Sequence, residues 1–575
     1  MPPKYLLMAQ NHSSDDGKSY GVAVVRYNRT IATVLGSTVT ALLAACSAGS
    51  SGPSISPLAA DVAAVSQSVT QETQAPPVPV VNTFAPSSGW PKSGVGINVA
   101  RSVYYSSERT FANLAKGAAV WRDQSAKWAD IPASGLTAMN YPITGGGLSL
   151  NVPQTIRSGV DTQVTCTWTG SGNVRAWGDV TVFGRNHTLS FKWPGAVGAK
   201  ANVFIIVDSI SGTDPFANLD CREPGLATNG VFDQRLVNDL KPYAVLRFLD
   251  WSSANNNPAI VTWETRSTPD KTVQNGADGI ALEHMIDLAN ATESDAWFTV
   301  PWNADQDYVQ RMAVLVRDRL SSNHKAYFEL SNETWNFGFS AARQALNEGI
   351  AENLSTTHYS NNPLRYAEKS TWLQKLLSNA FSKNMSRLVR VLNVQNGNTS
   401  AVKLELNFRD TAQYVDAIAS APYFGYNFFG GVNSGVTDLR TLFTSLETMR
   451  VDTIKSAVAV KMVAAEHGKS YIIYEGGQGI VPRYGHPEDL TVEAAMQRSP
   501  LMYHFYVRYL KDLEVQGIRT VVIYSATGEI GQHGAWGIRE YAGQSLTETP
   551  KRRAVLGFSR KPGYSVTSNA KILTE

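Results

Sequence analysis

Between Val95 and Ser525 eight short β-rich runs are separated by amphipathic helical stretches, and this rhythm constrains the fold more than any other feature of the chain. The runs are VGINVA (95–100), YAVLRFL (243–249), AWFTV (296–300), AYFEL (326–330), RLVRVLNV (387–394), DAIASAPY (416–423), SYIIYE (470–475) and TVVIYS (520–525). Helical patterns occupy 233–240, 279–288, 305–320, 340–352, 366–383, 437–467 and 493–516, so they fall between most of the strands. Strands alternating with helices imply a parallel sheet covered by helices. Eight of them suit closure into an α/β, (β/α)8 or TIM, barrel spanning residues 93–575.

The rhythm breaks once, between the first and second runs. From Leu148 to Ile210 the chain reads as LSLNV, QVTCTWTG, VRAWGDVTVFG, HTLSFKW and NVFIIVD, short alternating strands with glycine and asparagine turns. That spacing predicts a small antiparallel β subdomain, placed at about 140–215 as an insertion after the first barrel strand. An independent amino-terminal binding domain is the alternative, and it would require VGINVA to belong elsewhere. Cys166 and Cys221 are an even pair that an exported protein could oxidise to a disulfide, with free buried thiols the other reading.

Export is argued from the amino terminus. Arg26 and Arg29 precede the apolar run TIATVLGSTVTALLAAC, which ends at Cys46. A basic segment, an apolar segment and small residues before a cut describe a secretory signal. The closing cysteine resembles a bacterial lipoprotein lipobox, which implies lipid on Cys46 and a membrane-anchored location at the outer membrane or cell surface. An ordinary signal with a chance cysteine, or a short membrane anchor, is the plainer reading, although the run is shorter than the roughly 20 residues of a spanning helix. Residues 1–46 are therefore the signal region and 47–92, rich in Ala, Ser, Pro, Val and Gln, a tether. With 51 basic against 48 acidic residues, nothing points to nucleic acid.

Two glutamates carry the chemistry. Glu333 in AYFELSNETWN and Glu475 in SYIIYEGGQG each follow a predicted strand where it gives way to a loop. Carboxylates at the carboxyl ends of barrel strands face the mouth, where sites of this fold are built. A pair there suits glycoside hydrolysis, in which one carboxyl group protonates the leaving oxygen and the other attacks or activates water. Asn332, directly before the first acid, could hydrogen-bond a sugar 2-hydroxyl.

On the Asn332–Glu333 pair ending the fourth run and Glu475 ending the seventh, the chain resembles the retaining glycosidases of glycoside hydrolase clan A. The resemblance implies that Glu333 is the acid/base and Glu475 the nucleophile. It further implies that Arg247 keeps the nucleophile ionised, that Tyr423 in SAPYFG hydrogen-bonds it, and that Trp536 in GAWGIRE floors the sugar site. Many clan members have histidine two positions before that tyrosine, where this chain has Ala421. Trp251 in FLDWSS, with Trp302 and Asn303 in VPWNAD, lies at further strand ends and could line the cleft.

Other chemistries lack their motifs. The chain has no H-E-x-x-H, no G-x-S-x-G elbow, no P-loop and no dinucleotide fingerprint, and its nine histidines are scattered. The expectation is therefore a retaining glycoside hydrolase acting on a polysaccharide or oligosaccharide, β-linked, with no cofactor and no metal. A non-catalytic carbohydrate-binding surface lipoprotein, and a transglycosylase using the same two glutamates, are its rivals.

Overall fold

The computed structural model describes residues 94–125, 127–150, 161–193, 203–225 and 230–559. Cys46, the signal-like run and the tether 47–92 lie outside the described residues.

All eight expected runs are strands of one barrel: β1 (Gly94–Asn98), β2 (Val245–Arg247), β3 (Asp295–Val300), β4 (Ala326–Leu330), β5 (Leu388–Asn393), β6 (Ala417–Ser420), β7 (Ser470–Gln478) and β8 (Thr520–Ile523). Each pairs in parallel with the next, as in Phe298 with Phe328 and Leu392 with Ile418. Closure comes from β8 against β1, with Thr520 opposite Gly94 and Ile523 opposite Ile97. Alternate side chains fill the interior, where Val245, Trp297, Tyr327, Val391, Ala419, Ile472, Tyr474 and Val522 form one core. The opposite faces of the strands meet the helices in a second, larger core. That division follows from the two-residue period of a strand buried on both faces.

The helical pattern departs from expectation at several places, among them 493–516, the chain after β5 and the unexpected helix Pro550–Gly557. The stretch expected at 493–516 is two helices, Pro487–Arg498 and Pro500–Val515. Pro500 has no N–H to continue the first helix, and the Ser499 hydroxyl caps the second by accepting from Leu501 N. A further helix, Thr399–Leu406, follows β5. Its pattern of Val402 and Leu406 is too short to stand out in the sequence.

The insertion between β1 and β2 consists of two antiparallel sheets. One orders the strands 146–149, 203–208, 173–178 and 182–183, and the other orders 188–193, 162–169 and 217–222. It therefore runs beyond the expected limit near 215, to Arg222. The strand Ala217–Arg222 is hidden in the sequence by Asn218, Asp220 and Arg222; Leu219 and Cys221 are buried in the core, and Ala217 packs against it. Cys221 stands directly opposite Cys166, the two are disulfide-bonded, and their Cα atoms are 3.9 Å apart. A bridge closing 55 residues restricts the unfolded chain by roughly 4 kcal/mol.

Candidate active site

Arg247 is the last residue of β2, points into the barrel and is fully buried. A guanidinium in that position must have each donor satisfied. Its Nη1 donates to Glu475 Oε1 at 2.6 Å and to Asn98 Oδ1 at 3.0 Å. Nη2 donates to Asn332 Oδ1 at 2.9 Å, and Nε to Glu329 Oε1 at 2.8 Å. The guanidinium also lies 4.9 Å from the centre of the Tyr474 ring. One cation thereby joins the ends of β1, β2, β4 and β7.

Glu475 is placed by an irregularity in β7. Ile473 pairs with Val521 and Gly476 with Ile523, so Tyr474 and Glu475 together stand against Val522 alone. Such a bulge re-aims a side chain, and both of these consecutive residues reach the site although neighbours in a regular strand point to opposite faces. Tyr474 joins the interior core. Glu475 accepts from Arg247 and, through Oε2, from the Tyr423 hydroxyl at 2.9 Å. The following glycines are strand, not turn. A Cβ on Gly476 would lie 2.7 Å from the Tyr509 hydroxyl, and one on Gly477 2.8 Å from that of Tyr506.

Glu333 is reached by a different route. Beyond β4 the backbone turns through left-handed conformations at Ser331 (φ 53°) and Glu333 (φ 44°), which are uncommon for residues other than glycine. The Tyr474 hydroxyl donates to Glu333 Oε1 at 3.1 Å and Asn336 Nδ2 to Oε2 at 2.9 Å. Burial first, then the charge of Glu475, push the Glu333 carboxyl up to about 7, against the lowering effect of those hydrogen bonds. The two acids thus share one buried network but differ in partners: Glu475 has a cation and a phenol, Glu333 a phenol and an amide.

Of the residues singled out from the sequence, Glu333, Glu475, Asn332, Arg247 and Tyr423 meet in this network. Trp536 borders it, half-buried, with its ring edge-on to Tyr423 at 5.2 Å and to Tyr524 at 5.9 Å. Three residues do not line the cleft. Trp251 is fully buried among Phe111, Phe232 and Phe248, and its indole N–H donates to Ala100 O at 2.9 Å. Trp302 is also fully buried, donating to Glu348 Oε1 at 3.2 Å. Asn303 ties its loop to Pro258 O and to Gln344 of the helix Ser340–Ala351. A tryptophan near a strand end can turn outward to the helices as readily as inward, and these two do.

Sequence reasoning missed Glu329, Asn98, Tyr474, Asn336, Asp250 and Arg101. Glu329, in β4, is fully buried and pairs with Arg247, and it also accepts from Thr299. Burial raises its pKa and Arg247 opposes the rise. A charged residue within a buried strand was the available signal, as was a polar Asn98 closing β1. Asn336 lies in a loop and Asp250 in the short helix Leu249–Ser252, and neither carried a signal. Among the described residues no group of three or more His, Cys, Asp or Glu side chains could hold a metal ion.

No protein-family model matches the chain, and no curated protein does. Solved structures of similar fold include a glycoside hydrolase family 51 arabinofuranosidase from Xanthomonas axonopodis pv. citri, with 12% identity, TM-score 0.34, and 54% of this chain and 63% of that one covered. A family 51 α-L-arabinofuranosidase from Bifidobacterium longum gives 13% identity, TM-score 0.38 and coverage of 58% and 68%. A Bacteroidetes-affiliated family 5 cellulase gives 12%, 0.33, and 59% and 87%. The chain thus spans just under two thirds of the length of the first of these. These likenesses are low, and the barrel assignment rests on the strand pairings of this chain.

Proposed function

We propose that the chain is a retaining glycoside hydrolase acting on a β-linked oligosaccharide or polysaccharide through a glycosyl-enzyme intermediate. The observation that carries this reading is the unequal setting of two carboxyl groups in one network. Glu333, held up to about 7, can keep a proton near neutrality, whereas Glu475 is bonded to the buried Arg247 cation. Two acids whose environments separate their roles are what acid and nucleophile require.

In the proposed mechanism Glu333 gives its proton to the glycosidic oxygen as a Glu475 oxygen attacks the anomeric carbon, and the C–O bond to the leaving sugar breaks. Glu333, now a carboxylate, takes a proton from water, whose oxygen displaces Glu475 and restores both groups. Arg247 and Tyr423 fix the Glu475 carboxylate, so its lone pair is aimed before substrate arrives. Asn332, oriented by Arg247 Nη2, offers its amide to the neighbouring hydroxyl of the sugar, and Trp536 offers its face to the ring.

The proposal includes export, with lipid on Cys46 tethering the barrel to the outer membrane or cell surface. Cys46→Ala should then leave the protein unprocessed or soluble, and equal membrane attachment of the variant would contradict the anchor. The catalytic reading is tested by screening the purified chain on β-linked glycans and following product stereochemistry by NMR. Release of the β-anomer first supports it, and release of the α-anomer first would overturn it.

A further inference from the structure

Two charged groups beside the network have almost no partners of their own. Asp250 lies in the short helix Leu249–Ser252 that follows β2. Its neighbours Leu249 and Trp251 turn into the core, 3% and 0% exposed, while Asp250 is half-buried. Its carboxyl receives one long hydrogen bond, from the Tyr524 hydroxyl at 3.5 Å. The Tyr524 ring stands edge-on to Trp536, Trp536 to Tyr423, and the Tyr423 hydroxyl on Glu475. Asp250 is thereby linked to Glu475 through Tyr524, Trp536 and Tyr423, and it lies within reach of the Glu475 charge.

Arg101 follows β1 by three residues. Its Nη1 is buried and has no hydrogen-bond partner among the described residues. Burial pushes Asp250 up to about 6, and among neighbouring charges Arg101 opposes that rise most. The two side chains are thus electrostatically close, yet they form no ion pair with each other. A buried donor left unmet costs about 1–3 kcal/mol, and an opposite charge nearby would ordinarily be recruited to meet it. A buried donor without a partner, near a carboxylate that holds one long hydrogen bond, matches a ligand that can take one hydrogen bond and give another. Hydroxyls on adjacent ring carbons do both.

Resting on the glycosidase reading above, we infer that Arg101 and Asp250 are the hydroxyl-reading pair for the sugar seated against Trp536, and that this sugar is neutral and carries an adjacent diol. One hydroxyl donates to Asp250 and its neighbour accepts from Arg101. A sugar carboxylate in the same place would stand beside Asp250 and Glu475, and repulsion disfavours it. Both residues are specificity determinants that touch substrate and leave the proton transfers to Glu333.

The test compares wild type, Asp250→Asn and Arg101→Met on a neutral aryl β-glycoside, its monodeoxy analogues and the matching uronide, with melting temperature as the folding control. Each variant should lose about 10- to 100-fold in kcat/KM on the neutral glycoside, the range for a charged hydrogen bond. On the analogue lacking the hydroxyl that the residue contacts, wild type should already be slowed to that extent, and the variant should add less than about threefold. Equal losses on every analogue, no loss at all, or wild-type preference for the uronide would overturn the pair. If wild type turns over no glycoside, the hydrolase reading fails separately, and calorimetric titration with neutral oligosaccharides decides the pair. Binding weakened at least tenfold in Asp250→Asn keeps it, and unchanged or absent binding removes it.

Discussion

The barrel mouth and the β insertion both interrupt or close the same strand order, but they treat charge in opposite ways. In the mouth Arg247 and Glu329 are fully buried and Glu333 and Glu475 are 5% exposed. In the insertion, by contrast, no charged side chain between 112 and 222 is buried among the described residues. Its ion pair Arg175–Asp208 is about one third exposed on both sides, and its interior is Trp168, Phe191, Trp193, Phe216 and the disulfide. Burying charge is costly and apolar packing with a cross-link is not. The two regions differ in whether they accept that cost, and in the mouth the buried charges are joined through Arg247, which bonds both Glu329 and Glu475.

The largest effect on the mouth is expected at Glu475. Glu475→Gln should lower turnover by on the order of 10⁴-fold or more, since an amide cannot attack the anomeric centre, while the melting temperature changes little. An active, folded variant would remove the mouth from the chemistry. Arg247→Met should destabilise by about 3–5 kcal/mol, because it strands Glu329 and Glu475 without their cation. Denaturant unfolding measures this, and a loss under about 1 kcal/mol would mean the buried charges are not coupled.

The insertion should answer differently. Replacing both Cys166 and Cys221 by alanine should cost roughly 4 kcal/mol of stability, with kcat of the folded fraction unchanged. A collapse of kcat with stability intact would show that the insertion shapes the reaction.

Acidity sharpens the contrast further. With Glu333 held up to about 7, kcat/KM should fall about tenfold per pH unit above that value as the acid loses its proton. The sign for stability is the same. The folded-state pKa lies above the unfolded one, so this contribution is full below the unfolded value and is lost as pH rises through the folded one. Glu333→Gln should flatten that stability slope, and an unchanged slope would place its origin elsewhere. The smallest effect is expected at Arg175→Ala, under about 1 kcal/mol for a partly exposed pair.

The sequence was legible where periodicity or a residue's chemistry is local. Eight strands, the two acids, Arg247, Asn332 and Tyr423 could be read because each sits at or near the end of a hydrophobic run. The roles of Trp251 and Trp302 could not, because facing core or cleft depends on how a loop turns after its strand. Glu329 and Asn98 were overlooked as strand filler, although a polar side chain in a strand buried on both faces needs a partner. The strand Ala217–Arg222 was hidden because its packing comes from alternate residues only, and the β7 bulge because a register shift has no composition of its own.

In the proposed mechanism Glu475 forms the covalent bond to sugar. A 2-deoxy-2-fluoro glycosyl fluoride, built on whichever sugar wild type hydrolyses, slows release of the intermediate enough for mass spectrometry of the intact protein and its peptides. One sugar mass should be added, located on Glu475 in the SYIIYEGGQG segment and absent from Glu475→Gln. Inactivation with the label on Glu333 or any other residue, or full inactivation of Glu475→Gln by the same reagent, would contradict it.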